Sequence, residues 1–418
     1  MRIASVLVLV ALSMATACDK AAGPVDPCER AVKDFGAALQ TYVDSFAGKS
    51  VDDFVKQDSP PSRVPVAKGL ARFRKAVSES KCEPGHLRLQ LTQEFTKLRG
   101  KGVMAETVST SLRAAFLTAL TGNPADKPEE RHISPKDDLR QAIASVVPGS
   151  RLILSAGEFR VDAPLIVFEG ITFTGGGKDV TRIISTSSGA ALIFLGVGNL
   201  GIEDLTLKHE GTSAASLAVL RSGSYHIERS RFEGATKDAS SGGIGLILGA
   251  SSGSAGGVSR TMHISDDEFI GNAESAVVIS GDDAPFVENI TIDGGANCGI
   301  CYIGSAGGEL HNSRIMRTGA GIAALATSSP SISGNFISDN KIAMQVRDAS
   351  KPIFDHNTIA GNSSAGIVYA GSFGGRATNN TCEDQKVDIL VIALADPTLT
   401  GNSCTVKRST KAAVSKRT

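Results

Sequence analysis

Asp282 and Asp283 adjoin in Ser280-Gly281-Asp282-Asp283, and two carboxylates are the minimum needed to cleave a glycosidic bond by acid–base or nucleophilic chemistry. Arg260 and His263 stand upstream and are the cation and imidazole most readily joined to such a site. As a catalytic unit the set is incomplete. The next acid in the corresponding turn of later repeats is Asp348, three rungs on and hence ~14 Å away at the spacing of stacked strands, whereas paired carboxyl groups in glycosidases stand roughly 5 to 9.5 Å apart. These four residues are therefore a candidate ligand-binding set, and no catalytic residue is assigned. Cys298-Gly299-Ile300-Cys301 has the spacing of a redox dithiol. That chemistry draws on a helix N-terminus to acidify the thiol, and this pair stands at the entry to a strand, so it reads as either a local bridge or two unbonded thiols. His226, His263, His311 and His356 lack the adjacent spacing of a metal site. No metal and no cofactor is expected.

A repeat must position these residues. An apolar residue, two positions, a small polar residue, one more position and a second apolar residue recur every 22 or 23 residues, the mark of a solenoid. The second apolar column runs Ile184, Leu207, Phe232, Phe269, Ile292, Ile315, Ile337, Ile359, Cys382 and Cys404. Only the step from Phe232 to Phe269 breaks phase, because Ser240 to Gly243 and Gly249 to Gly257 are added there, and such insertions form loops on one face. The first column, five residues earlier, is Ile202, Ile227, Ile264, Val287, Leu310, Ile332, Phe354, Ala377 and Leu399. A third strand follows, with Val277, Ile300, Ile322, Met344, Ile367 and Ile389 expected inward and Val278, Cys301, Ala323, Gln345, Val368 and Leu390 outward by alternation. Ten phased positions imply a rod about 43 Å long. Cys382 and Cys404 share a column one coil apart, within disulfide reach.

Ahead of the repeat, Ser134-Pro135-Lys136-Asp137 predicts a helix N-terminus, Pro148-Gly149 a stop, Arg151 to Leu154 a strand, and Gly157-Glu158-Phe159 follows. This succession resembles the N-terminal cap of the pectate-lyase-like right-handed parallel β-helices, over roughly Ile133 to Cys404. Asn335, Asn357, Asn380 and Asn402, each two residues before the second column, resemble the asparagine ladder of that superfamily, in which amides of successive coils satisfy one another. The resemblance also implies a substrate groove beside the third-strand sheet. A lyase needs carboxylates for calcium and a basic residue there, and the outward stripe is nearly uncharged. Asp282-Asp283 resembles the acid pair of polygalacturonase-like glycosidases, without that family's Asn-Thr-Asp or Gly-His-Gly. The chain has no Trp and four Tyr, few rings for stacking sugars.

From Pro27 to about Gly122 the period is helical: Ala31, Phe35, Leu39, Tyr42 and Phe46 form one apolar face. Further helices are predicted over Val64 to Ser80, His86 to Leu98 and Ala105 to Leu120, and a Cys28–Cys82 bridge would close this domain. Arg2 and the apolar run Ile3 to Met14 read as a signal peptide. Ala15-Thr16-Ala17-Cys18 resembles the bacterial lipobox, although Ala15-x-Ala17 would also suit ordinary signal peptidase. Seven cysteines are odd in number; lipid on Cys18 leaves six for three bridges. Net charge is zero, from 43 basic and 43 acidic residues, so no field points to nucleic acid. The expected organisation is signal peptide 1–17, lipidated tether 18–26, α-helical domain 27–122, linker 123–132, β-helix 133–404 and basic tail 405–418. The expected function is a cell-envelope scaffold that binds polysaccharide or a protein partner and is held to the membrane through Cys18. The alternative is a polysaccharide lyase or glycoside hydrolase with an atypical site near Asp282 and Asp283.

Overall fold

The alternation of apolar columns with small polar turns produces three short parallel strands per coil. In the computed structural model the first strands stack into a 12-stranded sheet, from Glu130–Ile133 to Thr398–Thr400, and eleven steps make a rod about 53 Å long. The second and third strands join in a 19-stranded sheet, because Thr291–Tyr302 and Arg314–Ala324 run through both positions. The structure describes residues 26–49, 64–116 apart from 103, 107, 111, 114 and 115, and 127–409 apart from 222, 240, 250–259 and 393. The predicted signal peptide, Cys18 and the Gly/Ser stretch 250–259 lie outside them.

The columns fill the interior. Ile202, Ile227, Ile264, Val287, Leu310, Ile332, Phe354 and Ala377 are at most 2% exposed and stand in mutual register, which continues upstream through Phe173 and Leu152. Third-strand residues Val277, Ile300, Ile322, Met344, Ile367 and Ile389 also face inward, at 0 or 1% exposure. One assignment shifts: Leu207 pairs with Ile183, not Ile184. Both isoleucines are buried, so apolarity alone did not distinguish them.

Between the columns the amides form the expected ladder. Asn335 donates its backbone N–H and Nδ2 to Asn357 Oδ1, both at 3.0 Å. Asn357 does the same to Asn380, and Asn380 to Asn402, at 2.9 to 3.0 Å. Spare Nδ2 hydrogens reach the carbonyls of Leu310, Ile332, Phe354 and Ala377. The residue before each rung takes a left-handed backbone, as at Gly334, His356, Asn379 and Gly401 with φ between 52 and 68°. That bend turns the amide into the interior. A second ladder not anticipated runs beside it: Thr318 N–H and Oγ1 donate to Asn340 Oδ1, and Asn340 donates to Asn362 Oδ1.

Both ends of the rod extend past the predicted limits. Glu130–Ile133 pairs with Arg151–Leu154 inside the expected linker, and Val406–Ser409 pairs with Ile389–Ile392 inside the expected tail. A terminal strand is covered on one side only, so it satisfies backbone groups without an apolar pattern. The cap helix spans Leu139–Ser145 and starts later than predicted. Ser134 instead closes a turn on Asp137, donating its N–H and Oγ to Oδ2, and Asp138 caps the helix by accepting from Arg140 and Gln141 N–H.

Helices α1 (Pro27–Asp44), α2 (Val64–Ser80) and α3 (Pro84–Phe95) precede the rod, and described residues from 104 to 116 include further helix. Asp26 caps α1 by accepting Cys28 N–H. The predicted face is buried, with Phe35 stacked on Phe73 at 5.4 Å and edge-on to Phe95. Cys28 and Cys82 are bridged, Cα to Cα 5.8 Å. No helix among the described residues is long and apolar enough to cross a membrane.

Candidate functional site

The structure divides the four candidate residues. Asp283 turns inward at the position that Ala306 and Ser328 occupy in the next coils, a register set by the N–H of Gly307 on Asp283 O and of Ser329 on Ala306 O. Its carboxylate is fully buried and lies 2.5 Å from the Arg260 guanidinium. Arg260 also donates Nε–H to Gly223 O at 2.6 Å. It stands three residues after Gly257, where the insertion ends, and through these two contacts ties that end of the long coil to the coils before and after it. Burial, and next the Asp283 charge, push the Tyr225 hydroxyl well above its usual range. Asp282 is exposed in the turn. An ion pair whose carboxylate is fully buried is a fastening: desolvation offsets much of its attraction, and removing Arg260 strands the Asp283 charge.

His263 belongs to a different surface. It lies on the outer face of the 12-stranded sheet, where His226, His263 and Phe286 are consecutive register partners. Ring centres are 5.2 Å apart for His226 and His263, 5.5 Å for His263 and Phe286, and 5.4 Å for Phe286 and His311. Polar contacts hold the imidazoles. His226 Nε2 meets Glu228 at 2.9 Å and its Nδ1 meets His263 Nδ1 at 3.3 Å. His263 Nε2 stands 3.5 Å from Glu288, and His311 bridges Glu309 and Ser333, both at 2.8 Å. Sequence reasoning missed this strip although its signal was present: His226, His263 and Phe286 each precede a first-column residue, Ile227, Ile264 and Val287. Among the described residues no three His, Cys, Asp or Glu side chains form a group able to hold a metal ion.

The third-strand face carries one outward column through the whole rod. Ile166, Ile193, Val219, Ile247, Val278, Cys301, Ala323, Gln345, Val368 and Leu390 are paired in that order. The first four, 0 to 5% exposed, share one apolar cluster with Phe35, Leu70, Phe95 and Phe116 of the helical domain. That domain therefore covers this sheet over the early coils, upstream of the residues Val278 to Leu390. Farther along, Cys298 and Cys301 are bridged on the outer face and pack with Ala320, Ala323, Val278 and Leu325. The Cys382–Cys404 bridge joins the last two coils, Cα to Cα 5.0 Å. Three disulfides suit an oxidising, exported setting.

Residues 275–416 match the family model for the right-handed beta helix region. No curated protein matches the chain. Among solved structures, pectate lyase Pel9A aligns over 69% of this chain and 82% of its own, at 12% identity and a TM-score of 0.42. The A-module of Azotobacter vinelandii mannuronan C-5 epimerase AlgE6 aligns over 62% and 91%, at 14% identity and 0.33. The catalytic unit of the GH87 alpha-1,3-glucanase of Streptomyces thermodiastaticus aligns over 69% and 71%, at 13% identity and 0.34. Coil topology, the stacked amides and the matched region together make the rod a right-handed parallel β-helix domain.

Proposed function

We propose that the protein is an exported lipoprotein, anchored through Cys18, whose β-helix is a rigid scaffold that binds envelope polysaccharide. The carrying observation is the state of the third-strand face, beside which a lyase of this fold would process its substrate. Four coils of it lie under the chain's own helical domain, and the outward column beyond them holds no charged residue before Lys407. The one acid pair near its turn is split, with Asp283 committed to Arg260. Anchoring is supported by cysteine pairing, since six of seven cysteines form three bridges. Cys18 remains for lipid.

Purified protein is expected to sediment with an insoluble polysaccharide without releasing reducing ends or unsaturated products from uronic-acid or neutral polymers. Turnover that disappears in Asp282→Ala would overturn the scaffold reading in favour of a lyase or hydrolase. Cys18→Ser, expressed with its own leader, is expected to leave the detergent phase for the aqueous phase.

A further inference from the structure

The strip His226, His263, Phe286 and His311 lies on the outer face of the first-strand sheet, where His263 and Phe286 each stand three residues after a member of the Arg260–Asp283 pair. Phe286 is 38% exposed, a large ring held on the outside of a central strand where alternation would ordinarily place a polar residue. Its neighbours are not free to cover it. His263 and His311 are fastened by Glu288, Glu309 and Ser333, so the strip is already ordered and a ligand meets little entropic cost in fixing it. It climbs three rungs, about 14 Å along the rod, with one ring per coil and neighbouring ring centres 5.2 to 5.5 Å apart. That spacing is comparable with the advance per sugar of an extended glycan. All four tyrosines are buried, and among the phenylalanines on the described strands of this sheet Phe286 is the exposed one, whereas Phe173 and Phe354 are buried.

Charge selects among glycans. Glu203, Glu228, Glu288, Glu309 and Asp355 edge the strip, against Arg151 on Glu203 and Arg229 on Glu228. Carboxylates outnumber arginines here, which disfavours a uronic-acid polymer, while each carboxylate is already paired with an imidazole or an arginine and keeps acceptor oxygens for hydroxyl groups rather than a free charge for a cationic polymer. We propose that this strip binds an uncharged polysaccharide lying parallel to the rod, its C–H faces against the rings and its hydroxyls on Glu228, Glu288 and Glu309. The inference rests on the scaffold reading and names its ligand class.

The test is affinity electrophoresis and calorimetry of the full-length protein with laminarin, dextran, chitosan oligosaccharide and polygalacturonate, for wild type, Phe286→Ala and His311→Ala. Wild type is expected to bind a neutral glycan, Phe286→Ala at least tenfold more weakly, with circular dichroism unchanged because the ring lies outside the interior of the rod. A conservative Phe286→Tyr should restore binding. Neutral-glycan binding that Phe286→Ala leaves intact, preference for polygalacturonate or chitosan, or no binding to the neutral glycans, would overturn the assignment. Hydrolysis of a glycan whose binding still depends on Phe286 would sink the scaffold reading and leave the strip standing.

Discussion

Asp267 Oδ1 accepts the backbone N–H of Ser230 across one coil, at 2.7 Å, in the column where later coils carry Asn335, Asn357, Asn380 and Asn402. An asparagine there would also donate Nδ2 to a main-chain carbonyl. Asp267 cannot when ionised, and its Oδ2 has no hydrogen-bond partner among the described residues. Burial accordingly pushes its pKa well above the ordinary carboxylate value.

A carboxyl whose folded pKa is raised contributes stability that is fully present below its unfolded value and is lost as pH rises through the folded value. Asp267→Asn should therefore gain stability chiefly at neutral and alkaline pH, by ~1 to 3 kcal/mol if the amide completes the rung. At about pH 4, close to the model-peptide carboxylate value, the two proteins should unfold at similar denaturant concentrations. A gain of the same size at both pH values would mean that the charge is not the cause.

Asn357→Leu removes the acceptor of two Asn335 donors and the donor to Ile332 O and Asn380 Oδ1. Stranding a buried backbone N–H costs about 1 to 3 kcal/mol. The loss should appear in urea unfolding with an unchanged m-value, and amide exchange should rise in the coils that hold Asn335 and Asn380 before it rises near Ile227. A neutral outcome would show that water or backbone shifts satisfy the rung.

The columns Ile300, Ile322, Met344 and Ile367 were legible because each coil repeats one inward position, and Cys382–Cys404 followed from the same register. The second ladder was equally legible, since Asn272, Asn340, Asn362 and Gln385 each follow the second column by three residues. Reading only the positions between the columns passed over it. Asp282 and Asp283 are adjacent, and which one enters the core depends on how the turn is wound, a property that neither residue type encodes. Docking of the helical domain on Ile193 and Val219 was less legible still. Two apolar surfaces with unrelated periods carry no common register.

The Cys382–Cys404 bridge spans 22 residues of chain, and closing such a loop is worth about 3 kcal/mol in the chain-entropy account. In a solenoid that stabilisation stays near the staple, because each coil contacts only its neighbours. Cys404→Ser should speed hydrogen exchange in Thr398–Ser409 and leave the coils around Ile227 protected. Uniform loss of protection would mean that the rod unfolds as one cooperative unit.

Val219 is fully buried although it faces out of the rod, because the helical domain lies over it. Aspartate at this position would bury a carboxylate against apolar side chains, which is strongly unfavourable without a partner. The cheaper response is separation of the two domains: the helical one keeps its own aromatic core and the Cys28–Cys82 bridge, and the rod keeps the inward neighbours Ala218 and Leu220. Val219→Asp should thus open the segment 117–129 to protease at least tenfold faster and enlarge the radius of gyration, with little change in circular dichroism. Val368→Asp, on the same outward column but outside that cluster, serves as the control and should leave cleavage of that segment unchanged. Equal cleavage of wild type and Val219→Asp, with the same radius of gyration, would show that the domains do not hold this contact in solution.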